Sequence, residues 1–127
     1  MATTVSPAGL LALLLLASHP AMAHHSTALE YDYDLAHEFD AVLAGYDWVN
    51  PHVWFYFDET MPDGTVKRWS IQSRSPAQLR RMMESESGIG AFDLGETYTV
   101  RVVLHRWDPA NGLLRSMQFP SGALFSP

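Results

Sequence analysis

The 127-residue sequence contains no cysteine. That excludes disulfides, thiolate zinc sites, a lipid-modified N-terminal cysteine and cysteine nucleophiles. Positive charge is also scarce: eight Lys and Arg stand against fourteen Asp and Glu, a net charge of −6. The few cations, among them Arg80, Arg81, Arg101 and Arg106, are scattered along the chain. A surface that tracks nucleic-acid phosphates needs clustered Lys and Arg, so nucleic acid is not an expected partner. No apolar run reaches the roughly 20 residues that span a bilayer, so stable membrane insertion of the mature chain is not expected either. A Gly-x-Ser-x-Gly elbow, a phosphate-binding glycine loop and a His-Glu-x-x-His helix are all missing, and intrinsic catalysis is not expected.

Between Met1 and Ala23 there is no Asp, Glu, Lys or Arg. This stretch holds a short apolar run, Leu10 to Ala17, followed by Ala21-Met22-Ala23, the small-residue pattern that signal peptidase reads. Residues 1–23 are therefore expected to be a cleaved signal peptide. The product would be exported, to the periplasm or outside the cell, and would begin at His24. About 100 residues remain, enough for one domain with one core.

Residues 24–38 are polar and acidic, with Glu30, Asp32, Asp34 and Glu38, and are expected to form an extended arm leading into a domain over 39–127. The first strand is expected from Phe39 to Trp48, ended by the Asn50-Pro51 turn signal. In His52 to Asp58, Val53, Phe55 and Phe57 alternate with Trp54 and Tyr56, as in a strand with one apolar face. Pro62-Asp63-Gly64 turns the chain into a third strand, Val66 to Gln72. Ser75, Pro76 and Gln78 fit the N-cap, first-turn and capping-box positions of a helix with an apolar stripe of Leu79, Met82 and Met83. Thr97 to Arg106 and Leu113 to Phe119 complete five strands. That order predicts an all-β, five-stranded OB-like Greek-key barrel with one short helix between its third and fourth strands. A split sheet with one packed helix is the rival.

His24-His25-Ser26, Trp48-Val49-Asn50-Pro51-His52, Trp69 and Ser75-Pro76 together resemble a family of small exported bacterial proteins known as domain of unknown function 6152. The resemblance covers nearly the whole mature chain. It implies export and a small β-rich domain, and no established activity. The chain departs from the family in two places, which usually carry a glycine near Ala41 and a carboxylate near Gln72.

The histidines carry the sharpest chemical reading. A His24 terminus would offer its α-amine and its imidazole to one metal ion, and a third nitrogen would complete a histidine-brace arrangement suited to copper. His52, beside a rigid Asn-Pro turn, is the favoured third ligand and His105 the next. His25 is an alternative ligand through its ring and backbone nitrogen. In the structural reading, His52 instead hydrogen-bonds a backbone carbonyl and fixes the turn, while His37 and His105 are surface residues. Asp32, Asp34 and Glu38 lack the loop pattern of a calcium site. The alternative function is an accessory module that binds a partner protein, a peptide or a sugar on an aromatic face of Trp54, Tyr56 and Trp48, without metal.

Overall fold

The computed structural model describes residues 27–85 and 91–127. In chain order its elements are α1 (Thr27–Glu30), β1 (Tyr31–Asp47), β2 (Trp54–Thr60), β3 (Val66–Gln72), α2 (Pro76–Ser85), β4 (Thr97–His105), β5 (Asn111–Gln118) and β6 (Leu124–Phe125). The strands form one mostly antiparallel, six-stranded sheet in the order β3-β2-β1-β4-β5-β6. No described helix is long and apolar enough to cross a membrane.

The 17-residue β1 organises the sheet. Its first part, Tyr31 to Val42, pairs with β4, and its last part, Val42 to Asp47, pairs with β2. Register shifts at Asp32/Ala36 and Leu43/Gly45 bend it between the two partners. Phe39, Ala41 and Leu43 alternate inward and meet Phe55 and Phe57 of β2, Trp69 and Ile71 of β3, and Tyr98 and Val100 of β4. The α2 cap follows its sequence signature: Gln78 N donates to Ser75 Oγ at 3.4 Å, and Ser75 N donates to Gln78 Oε1 at 3.2 Å. Leu79 of α2 is fully buried in the same core, with Met82 and Met83 packed against it.

The sheet also pairs with itself. Ser70, Ile71 and Gln72 of β3 run parallel to Asn111, Gly112 and Leu113 of β5, so each of β1 to β5 has at least two neighbours. Gly112 makes this seam possible. A Cβ there would lie 2.9 Å from Val102 Cβ and 3.3 Å from Ile71 Cδ1, closer than packed carbon atoms allow.

Two expectations change. The first strand begins at Tyr31, not at Phe39, and so takes in most of the segment expected as an acidic arm. Tyr31 is buried (1 % exposed), and its hydroxyl, which has one proton to share, lies 2.9 Å from Gln72 Oε1 and 3.1 Å from Asn111 Oδ1. One side chain thus ties the start of β1 to both strands of the seam. The carboxylates of the segment stay at the surface, where Asp32 meets Arg106 at 3.2 Å. The second change is a sixth strand. After Gly122 (φ +89°) the chain turns back, and β6 pairs with β5 and buries Phe125.

Replacing Gly112 with Ala should overpack the seam and cost about 1–3 kcal/mol, read as a lower denaturant midpoint with an unchanged slope. Tyr31 gives a pH test. Burial first, then the nearby Glu30 and Asp108 carboxylates, push its pKa from 10.0 up to about 12. A raised pKa in the folded state means that its contribution is complete below pH 10 and is lost as pH rises towards about 12. Urea midpoints should fall over that interval, and less steeply in Tyr31→Phe. Tyr31→Phe should also be less stable at neutral pH, by about 1–3 kcal/mol, because the buried Gln72 amide oxygen and the partly buried Asn111 amide oxygen lose the one proton they share.

Candidate functional site

The segment Trp48 to Val53 joins β1 to β2 and contains a cis Asn50–Pro51 peptide. Just beyond the β2–β3 ladder, Val53 N donates to Arg74 O at 2.9 Å and Ser73 N donates to Val53 O at 2.8 Å. These bonds set His52 beside Ser73, with Nδ1 3.2 Å from the Ser73 carbonyl oxygen. A carbonyl can only accept, so Nδ1 carries a proton, and in the neutral ring the lone pair is therefore on Nε2. The ring does hydrogen-bond a backbone carbonyl, as the structural reading of this residue expects. The same bond leaves the other nitrogen in the state that a metal ligand requires.

His105 is in the opposite state. Its Nδ1 accepts from the backbone N–H groups of Trp107 (3.3 Å) and Asp108 (3.1 Å), which places its proton on Nε2. Its ring meets Tyr31 and Trp107 edge-on at centroid distances of 5.2 and 5.7 Å. It closes the β4–β5 turn.

His52 lines a cavity of about 250 Å³ together with Thr27, Tyr33, Gln72, Ser73 and Arg115, among others. His105 lines a different cavity of about 630 Å³, and the two have no lining residue in common. His52 and His105 are therefore not brought together. Among the described residues no group of three or more His, Cys, Asp or Glu is placed to hold a metal ion. His24 and His25 lie outside the described residues. The first described residue, Thr27, sits on the His52 cavity, its hydroxyl 2.7 Å from the Tyr33 hydroxyl. Two buried polar groups, Trp48 Nε1 and Ser73 Oγ, have no hydrogen-bond partner among the described residues.

The three aromatic residues expected to form a ligand face have separate surroundings. Trp48 packs against Phe92 and Tyr46 at 6.3 and 6.4 Å, with the Arg80 guanidinium 5.8 Å over its ring. It helps to cover the core. Tyr56 donates to Asp47 Oδ2 at 2.7 Å, and that bond raises its pKa above the usual tyrosine value. Trp54 is half-buried and lies opposite Asp47 on one side and Gln72 on the other.

The larger cavity escapes the sequence reading, because its wall is drawn from separate parts of the chain. It takes Asp32, Leu35 and His37 from β1, Lys67 and Trp69 from β3, and Arg106 and Trp107 after β4. The only trace in the sequence is that His37 and Lys67 each stand two positions before an inward aromatic, Phe39 and Trp69.

No curated protein and no solved structure matches the chain. The model of one family, described as a family of unknown function (DUF6152), matches residues 12–113, a span that contains the His-His-Ser segment, the Trp-Val-Asn-Pro-His turn and the whole β1-to-β4 body. The chain belongs to that family of unknown function, DUF6152.

Proposed function

We propose that this is an exported, non-catalytic domain that binds one divalent metal ion, copper first. Removal of residues 1–23 would free the His24 amine, and that amine, the His24 imidazole and His52 Nε2 would be the ligands. The five mutually paired strands would be an OB-like Greek-key barrel that holds the His52 turn in place, with α2 closing one end.

The observation that carries the reading is the contact between His52 Nδ1 and the Ser73 carbonyl oxygen. The Nδ1–H is given to Ser73 O at 3.2 Å, the outer-shell bond that commonly orients a metal-binding imidazole. Chain reach agrees: Thr27 lines the same cavity, and His24 precedes it by three residues, roughly 10 Å of chain. Ser73, in the wall of this cavity, has a buried hydroxyl without a partner among the described residues, as expected for a site that another component completes. His105, with its proton on Nε2, is the poorer ligand of the two. Arg74 and Arg115 line the cavity as well and favour an anionic co-ligand beside the metal. Gln72 stands in this wall where the family resemblance places a carboxylate, so this chain would rely on nitrogen ligands.

Native mass spectrometry of the exported protein with one equivalent of copper should give a chain that begins at His24 and retains one metal ion. His52→Ala, or one extra residue before His24, should weaken copper binding at least about a hundredfold, as expected when a ligand is lost from a small site. Unchanged affinity after loss of both His24 and His52 would overturn the ligand set. Affinity should fall with acidification, because protons compete with the metal for its nitrogen ligands. Gln72→Glu restores an anionic oxygen beside His52 and should tighten binding about tenfold, measured by competition with a chelator of known affinity.

A further inference from the structure

We propose that the larger cavity binds an anionic saccharide, a sugar ring that carries a carboxylate. This goes beyond the metal reading and does not depend on it, since the cavity of about 630 Å³ has no lining residue in common with the His52 pocket. Its volume is in the range of small-molecule sites.

Three features point to that ligand. The first is Trp107. It is 74 % exposed, more than any other large hydrophobic side chain among the described residues. It is nonetheless held: its backbone N–H donates to His105 Nδ1 at 3.3 Å, and its ring meets the edge of His105. An indole fixed at a cavity mouth with its face in water offers a stacking surface for the C–H face of a sugar. Trp69 cannot play this part. It is buried, with Phe39 stacked on it at 4.6 Å and the Lys67 ammonium 3.6 Å from its ring centroid, so it forms wall.

The second feature is charge. In a chain with net charge −6, this cavity is lined by two cations, Lys67 and Arg106, and one carboxylate, Asp32. Arg106 is engaged with Asp32 at 3.2 Å, while the Lys67 ammonium forms no ion pair among the described residues. Lys67 therefore keeps donors for an incoming carboxylate.

The third is the mixture of polar groups. Asp32 can accept from ring hydroxyls, Arg106 can donate to them, and the exposed imidazole of His37 can do either. A polyhydroxylated ring needs both kinds of partner. A polyphosphate does not.

The test uses the metal-free exported protein with digalacturonate and, as the neutral counterpart, galactobiose. Digalacturonate should bind at about millimolar concentration or below and should shift the Trp107 indole N–H signal, identified by its absence in Trp107→Phe. Trp107→Ala should weaken binding at least about tenfold, the scale of a lost stacking contact. Lys67→Met keeps an apolar stem over Trp69 and should reduce the preference for the acidic sugar at least about fivefold. Both variants should keep the native circular dichroism spectrum. A Trp107 signal that stays fixed at saturating sugar, or binding unchanged in Trp107→Ala, would overturn the site. Equal affinity for galactobiose would overturn the anionic class.

Discussion

The short parallel pairing of β3 with β5 is the constraint on which the rest of the fold depends. It ties one end of the strand order back onto β5, so that part of an otherwise open edge of β3 is satisfied by backbone hydrogen bonds. The seam has two requirements, and both are met by single residues. Gly112 removes the side chain that would collide with Val102 and Ile71. Tyr31 brings its hydroxyl across to Gln72 and Asn111, one residue from each side of the seam. Burial of that hydroxyl is tolerable because its proton has acceptors, and the two amide oxygens are tolerable for the same reason.

Closure also sets where chemistry can occur. The residue that precedes β2 and the residue that follows β3 face each other because the β2–β3 ladder runs on through Val53, Ser73 and Arg74. His52 receives its tautomer from that continuation. At the start of β1, consecutive residues serve different surfaces: Asp32 lines the larger cavity and Tyr33 the smaller. Strand alternation, reset by the register shift between Asp32 and Ala36, divides one segment between two sites.

Local signals in the sequence were legible because their physics is local. The alternation in His52 to Asp58, the Pro62-Asp63-Gly64 turn and the Ser75/Gln78 cap each involve residues within a few positions of one another, and each is found where expected. Tyr31 was not legible as core, because its partners lie 41 and 80 residues away and because Tyr33, Asp34 and Leu35 fall in a register shift that breaks the alternation. Phe92 was missed for a similar reason. It stands in no strand, yet it packs against Phe55 at 4.9 Å and Phe119 at 5.6 Å. The histidines looked alike in sequence. They differ because a carbonyl 21 residues away determines the proton of His52, while two amides of the adjoining turn determine that of His105. Trp54 and Tyr56 share the half-buried side of β2, opposite Phe55 and Phe57, as strand alternation expects. Trp48, outside the strand, is enlisted by the neighbouring helix.

Gly112 also governs how the strands find one another. A strand displaced by one residue turns its core face outward, and the loss of burial rejects it. Displacement by two residues keeps the faces correct, so hydrophobicity alone does not discriminate against it. It would, however, bring Ala110 or Leu114 to the place where Val102 and Ile71 leave no room for a Cβ. The missing side chain therefore favours one alignment over the displaced ones by about the 1–3 kcal/mol that overpacking costs.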